Sequence, residues 1–152
     1  MAAIQMILAE KQRPVDLLVI EDNPGDVRLL EEAFRELNAD VHMLVAKDGA
    51  EGVEMISKAR LKDSPGLPDL ILLDLNLPKL SGHDVLARIK DNPDTRRIPV
   101  IILTSSRAEM DVKRAYDAHA NAYLRKPSTL DGLIAAAAQI KHFWMETATL
   151  PD

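Results

Sequence analysis

Side chains able to do phosphoryl or metal chemistry stand directly after four apolar runs of this sequence. The run at 70–73 is followed by Asp74, 15–20 by Glu21 and Asp22, 98–103 by Thr104, and 122–124 by Arg125 and then Lys126. The runs at 70–73 and 98–103 are continuously apolar, which is typical of strands buried on both faces of a parallel sheet. In such sheets the functional crevice lies at the carboxyl ends of the strands. The pattern therefore predicts one edge that carries three carboxylates, a hydroxyl and an ammonium group.

The three carboxylates predict a metal site. Glu21, Asp22 and Asp74 would repel one another at close range, and a divalent cation with oxygen ligands relieves that repulsion. Mg²⁺ fits this donor set, and the main-chain carbonyl of Asn76, two residues past Asp74, could add a ligand. Zn²⁺ is disfavoured because the chain has no cysteine and no histidine pair at ligand spacing.

The same groups predict phosphoryl transfer to a carboxylate. Asp74 would attack phosphorus and form an aspartyl phosphate, while Lys126 and Mg²⁺ neutralise the phosphoryl oxygens and Thr104 hydrogen-bonds to one of them. Each residue also has a purely structural explanation, such as a turn-forming Asp, charges at a helix start, or a solvated lysine. Taken singly the structural explanations are favoured; four groups at four strand ends favour a site.

Strand-like and helix-like segments alternate along the chain, five of each. Asn23 and Asp48 are predicted N-caps of the first two helices, Ser128 is predicted to cap the last, and that helix is expected to run to about Glu146. Alternation of this kind predicts an α/β fold, a doubly wound parallel sheet of the flavodoxin-like (βα)5 type with strand order 2-1-3-4-5.

Composition sets further expectations. The 152 residues are 47% hydrophobic and 28% charged, with a net charge of −5 and no cysteine. These totals predict one globular domain in the cytoplasm, with no nucleic-acid partner and no membrane span. We expect an N-terminal tail over 1–14, a domain over 15–147 and a C-terminal tail over 148–152.

The site residues closely resemble those of the response-regulator receiver domain of two-component signalling, over nearly all of residues 15 to 146. The resemblance implies that Glu21 and Asp22 are the acidic Mg²⁺-binding pair, that Asp74 is the phosphoacceptor and that Asn76 gives its carbonyl to the metal. It further implies that Thr104 is the switch hydroxyl, Tyr123 the aromatic that rotates inward, and Lys126 the phosphate-binding lysine before a cis proline bond. Pro78 and Gly82 fit the turn after the phosphoacceptor.

Two strings, at 21–30 and 73–82, are similar to those of single-domain receivers that serve bacterial, especially cyanobacterial, phytochrome histidine kinases. The resemblance implies a signalling phosphoprotein that takes its phosphoryl group from such a kinase and acts on itself alone. The signal would leave through the face of the fourth helix, fifth strand and fifth helix, toward a downstream protein that the sequence does not identify. His83 is expected at the surface rather than as a phosphodonor.

Adjacent aromatic residues near the C-terminus predict an interface. Phe143 and Trp144 point about 100° apart on a helix, so both cannot face the core. One is expected to reach a second copy of the chain in a homodimer, or else the end of the helix folds back on its own domain. Other readings of the whole chain are a phosphorylation-incompetent scaffold receiver, a flavodoxin-like nucleotide or flavin binder, and a phosphatase with an Asp nucleophile.

Overall fold

The computed structural model describes residues 13–60 and 66–151. Five strands form one sheet, and their bounds are β1 Val15–Ile20, β2 Val41–Ala46, β3 Leu70–Leu73, β4 Val100–Thr104 and β5 Ala122–Arg125. All neighbouring strands are parallel and the order is β2-β1-β3-β4-β5. The flavodoxin-like topology predicted from the sequence is confirmed.

The helices occupy the predicted positions between the strands. Their bounds are α1 Pro24–Glu36, α2 Gly49–Ala59, α3 Gly82–Asp91, α4 Glu109–Asp117 and α5 Leu130–Ile140. The side chains of Asn23 and Asp48 cap α1 and α2 as predicted. At α5 the prediction of Ser128 as the cap is wrong, because the Thr129 side chain accepts the Gly132 N–H.

The sheet has an apolar layer on each face. Leu18, Ile71 and Ile102 point to the face covered by α2, α3 and α4. Their strand neighbours Leu17 and Leu72 point to the opposite face, covered by α1 and α5. Because successive side chains of a strand alternate between faces, one run of apolar residues serves both layers. This burial holds the strand ends, and the side chains that follow them, in fixed register.

The end of the chain departs from the predicted helix. The α-helix ends at Ile140, and residues Lys141–Thr147 continue it as a wider π-helical segment. The Ala148 N–H donates to the Phe143 carbonyl, five residues back, at 2.6 Å. The N-terminal tail expected over 1–14 lies outside the described residues, apart from Arg13 and Pro14. Arg13 donates two hydrogen bonds to the buried Asp69.

Candidate functional site: an acidic edge of the sheet

Backbone pairing continues one residue past the ends of the strands and positions the site. The Asp74 N–H donates to the Ile20 carbonyl at 3.1 Å, which places the residue after β3 beside the end of β1. The Lys126 N–H donates to the Thr104 carbonyl at 2.7 Å, which does the same for β5 and β4. The predicted side chains are therefore brought together by the register of the sheet rather than by flexible loops.

The carboxylates cluster as the sequence predicts. Glu21, Asp22 and Asp74 offer oxygen atoms that all lie within 4.8 Å of one another. Glu21 and Asp74 are buried, whereas Asp22 is exposed. Burial raises the pKa of Glu21 to about 7, against the opposing hydrogen bond from Lys126, and the charge of Asp74 adds to the rise. A buried carboxylate pair with a third at the rim has the donor chemistry that Mg²⁺ or Mn²⁺ requires.

Lys126 provides the positive charge at this edge. Its Nζ atom donates to Glu21 Oε1, to Asp26 Oδ2 at 3.0 Å and to Asp74 Oδ2 at 3.4 Å. Burial by itself would lower the pKa of the ammonium group, but the hydrogen bonds to Glu21 and Asp26, together with the charges of Asp74 and Glu21, raise the pKa above its ordinary value. Lys126 therefore stays charged and bridges three acidic side chains.

Two further donors orient the Asp74 carboxylate. The hydroxyl of the fully buried Thr104 donates to Oδ1 at 2.7 Å, and the Asn76 N–H donates to the same oxygen at 3.1 Å. The bond from Asn76 is the local turn that an Asp after a strand commonly forms. The structural and functional explanations of Asp74 are thus compatible, because the turn fixes one carboxylate oxygen and leaves Oδ2 toward Lys126.

Gly82 allows the chain to pass closely over the phosphoacceptor candidate. Its N–H donates to the Leu75 carbonyl at 3.0 Å. A Cβ atom at this position would lie 2.2 Å from the carbonyl oxygen of Asp74 and 2.5 Å from the Cα of Leu75. Only glycine fits so close to the backbone, which explains why the turn predicted at 78–82 needs this residue.

Tyr123 lies against the loop between β4 and α4. Its hydroxyl donates to the Ser106 carbonyl at 3.0 Å, and its N–H donates to the Tyr116 hydroxyl at 3.1 Å. The side chain is half-buried. The structure thus gives the tyrosine a defined hydrogen-bond acceptor two residues beyond Thr104.

The Lys126–Pro127 peptide bond is trans, so the cis bond that the resemblance implied is wrong. The trans form is the one that X–Pro bonds generally favour.

The expectation that His83 lies at the surface is wrong. The side chain is 9% exposed because it shares the inward face of α3 with Leu86, one turn further on. Its Nε2 atom lies 3.1 Å from Oδ1 of Asp111, and the buried Nδ1 atom has no hydrogen-bond partner in the part of the chain that the structure describes. Asp111 also accepts from the Ser106 hydroxyl at 2.5 Å. His83 therefore belongs to the packing between α3 and α4.

Asp26 is the site residue that sequence reasoning missed. It lies in the first turn of α1, and Oδ2 contacts Lys126. One sequence signal could have found it, since α1 begins two residues after Asp22 and so its first turn lies over the same edge of the sheet. That signal does not tell which side chain of the turn faces inward.

The two C-terminal aromatic residues have different surroundings. Trp144 packs against the core layer of α1 and α5, whereas Phe143 is 51% exposed. Their rings meet edge to face, with centroids 4.9 Å apart. The end of the helix therefore folds onto its own domain through Trp144, and Phe143 is the aromatic side chain left at the surface.

A flavodoxin-like α/β domain with an acidic, lysine-bearing edge defines a class of signalling module. The sequence model of the response regulator receiver domain matches residues 17–138, and the chain belongs to this family. The chain is 41% identical over 142 residues to the response regulator Rcp1 of Synechocystis sp. (strain PCC 6803), covering 93% of this chain and 97% of that protein.

Solved structures of response regulators also match this chain. The Mn²⁺-bound form of Rcp1 matches at a TM-score of 0.83 with 42% identity, over 91% of this chain and 100% of that one. The phosphorylated cyanobacterial phytochrome response regulator RcpA matches at 0.85 with 39% identity, over 91% and 99%. This chain is therefore a receiver-domain response regulator that resembles those of phytochromes. Within 13–60 and 66–151, none of the helices combines the length and apolarity needed to cross a membrane.

Proposed function

We propose that Asp74 accepts a phosphoryl group from the phosphohistidine of a sensor histidine kinase. The observation that carries this proposal is the pair of contacts on its carboxylate, with the Thr104 hydroxyl at 2.7 Å and the Lys126 ammonium at 3.4 Å. In the reaction an Asp74 oxygen bonds to phosphorus as the phosphorus–nitrogen bond to the imidazole breaks. Thr104 and Lys126 would stabilise the charge on the transferred group, and their contacts with the Asp74 carboxylate support this role.

We expect Glu21, Asp22, Asp74 and the main-chain carbonyl of Asn76 to hold the metal. Oxygen atoms of the three carboxylates within 4.8 Å of one another fit a hard divalent cation, and Mg²⁺ is the ion proposed. When bound, it supplies positive charge to the equatorial oxygens of the phosphoryl group. Any catalysis is confined to the phosphorylation and dephosphorylation of the protein's own Asp74.

The kinase proposed is of the phytochrome type. Support comes from the likeness to RcpA, whose structure is that of a phytochrome response regulator, over nearly the full length of both chains. A cytoplasmic location belongs to the same proposal, since the kinase draws on ATP there. The phosphoryl signal is proposed to pass through Thr104 to Tyr123 and so to a downstream protein at the face of α4, β5 and α5.

We also propose a homodimer through that face. Met110 and Tyr116 on α4 are 83% and 49% exposed, and Phe143, beyond α5, is 51% exposed. Aromatic side chains and Met are enriched in interface cores. Sedimentation at micromolar concentration should show a dimer for the wild type and a shift to monomer for Phe143→Ser. A wild type that stays monomeric with and without phosphorylation would remove this part of the proposal.

The phosphoacceptor role is tested with a small phosphodonor. Incubation with acetyl phosphate and Mg²⁺ should add one phosphoryl group to the intact protein, as read by mass spectrometry. Asp74→Asn should take none, because the amide is not a nucleophile of this kind, and removal of Mg²⁺ with a chelator should abolish uptake by the wild type. Uptake by the Asp74 variant equal to that of the wild type would refute the assignment.

A further inference from the structure

Asp26 is held in place by the cap of α1. The Asn23 side chain accepts the N–H groups of Gly25 at 2.9 Å and of Asp26 at 3.3 Å, which fixes the backbone of the first turn. From there Oδ2 of Asp26 reaches the Lys126 ammonium at 3.0 Å. Asp26 also lines a cavity of about 130 Å³ together with Glu21, Asp74 and Lys126. The carboxylate is therefore part of the acidic edge, although it lies on a helix rather than at a strand end.

The contacts of Lys126 leave no donor for a phosphoryl group. An ammonium group has three N–H donors, and here three carboxylates accept from Nζ, those of Glu21, Asp26 and Asp74. Lys126 must give up one of these partners before it can donate to a phosphoryl oxygen. Glu21 and Asp74 have proposed roles in metal binding and in the chemistry itself, whereas the side chain of Asp26 bonds, among the described residues, to the lysine alone.

We propose that Asp26 is a positioning residue that holds Lys126 back from the incoming phosphoryl group. This inference rests on the function proposed for Asp74. The restraint weakens the binding of phosphoryl-like anions, because the bond between Asp26 and Lys126 must lengthen or break for each anion bound. Asp26 also adds a negative charge beside a site that must admit an anion. Both effects act in the same direction, so removal of the carboxylate should strengthen anion binding.

The test is the affinity of the full chain for beryllofluoride, a phosphoryl mimic, at saturating Mg²⁺, by isothermal titration. Asp26→Asn should bind about three- to fivefold more tightly than the wild type, the size expected for release of a partly exposed ion pair. Glu32→Gln makes the same charge change on an exposed position of the same helix and should leave the affinity unchanged. A merely structural role for Asp26 would not give a gain, so equal or weaker binding by Asp26→Asn would overturn the inference.

A second pair of variants shows whether the effect passes through Lys126. In a Lys126→Met background, measured at beryllofluoride concentrations high enough for that variant to bind, Asp26→Asn should bring no gain in affinity. A gain that persists in full without the lysine would overturn it. The same measurements separate failure of this inference from failure of the proposed function. Wild-type protein that shows no Asp74-dependent binding of beryllofluoride would refute both the phosphoacceptor role of Asp74 and the role of Asp26. Binding by the wild type without a gain in Asp26→Asn would refute only the role of Asp26.

Discussion

The Nε2 atom of His83 lies 3.1 Å from Oδ1 of Asp111, and this contact joins α3 to the first turn of α4. The other oxygen of Asp111 accepts from the Ser106 hydroxyl, and the Ser106 carbonyl in turn accepts from Tyr123. A continuous series of contacts thus runs from the helix after the phosphoacceptor candidate to the tyrosine of β5. Ser106, whose carbonyl accepts from the Tyr123 hydroxyl, is therefore held in place by Asp111 of α4, which in turn contacts His83 of α3.

Titration of Asp111 reports on this series. Hydrogen bonds from Ser106 and then from His83 hold the pKa of Asp111 below its ordinary value. Because the pKa is lower in the folded than in the unfolded protein, these bonds stabilise the fold above the unfolded pKa, and that contribution is lost as pH falls through the folded pKa. Ser106→Ala and His83→Leu should each raise the pKa of Asp111, because each removes a hydrogen bond to its carboxylate.

The measurement is the pH titration of the Asp111 carboxyl carbon by NMR. Ser105→Ala serves as the matched control, since Ser105 is exposed and precedes the bonded serine. An Asp111 pKa that is the same in all four proteins would show that the bonds do not exist in solution.

Substitution of Gly82 tests the close approach over Asp74. Gly82→Ala would place a Cβ atom 2.2 Å from a backbone oxygen, so the turn must shift. We expect the free energy of unfolding to fall by about 3 kcal/mol, at the upper end for overpacking, and phosphoryl uptake to fall with it. Gly25→Ala is the control, because its Cβ would meet only the Asn23 Oδ1 atom, at 3.2 Å. Urea denaturation gives the free energy of unfolding of each variant. Equal losses of this free energy in Gly82→Ala and Gly25→Ala would contradict the prediction.

Lys90 is a structural lysine away from the acidic edge. Its Nζ atom donates to the carbonyls of Arg96 and Ile98 at 3.0 and 2.9 Å and to Asn121 Oδ1 at 3.0 Å. Burial lowers the pKa of this half-buried ammonium group, and its three neutral acceptors offset part of the cost of that burial.

Lys90→Met should therefore lower the free energy of unfolding by about 2 kcal/mol, because it leaves three acceptors without their shared donor. Lys113→Met, at an exposed position of α4, should change it by less than about 0.5 kcal/mol. Thermal or urea unfolding of the two variants makes the comparison. Equal stability of the Lys90 variant and the wild type would mean that water replaces the ammonium group at no cost.

The parts of the structure set by local sequence were predictable. Apolar runs such as 70–73 fix the strands, and parallel strands bring their ends to one edge, so the meeting of Asp74, Thr104 and Lys126 follows from the order of elements. The caps at Asn23 and Asp48 follow from the side-chain preferences of helix starts. The biochemical roles of these residues remain predictions until phosphorylation is measured.

What could not be predicted depends on packing between distant elements. His83 shares the inward face of α3 with Leu86, but its burial also depends on α4, whose Asp111 contacts it, and the pattern of α3 alone does not give that contact. Asp26 meets Lys126 only because α1 is rotated so that this side chain of its first turn faces the edge. At α5, Ser128 and Thr129 are both good caps, and the choice between them depends on where the helix begins after Pro127.

The most direct test of the account locates the phosphoryl group on the chain. The protein is phosphorylated with Mg²⁺ and a phosphodonor, the acyl phosphate is reduced with borohydride, and the modified residue is identified by peptide mass spectrometry. The account predicts homoserine at position 74, and no homoserine when Mg²⁺ has been removed with a chelator before the phosphodonor is added. Reduction at another carboxylate, or a phosphoryl group that resists borohydride because it sits on a serine, threonine or histidine, would contradict it.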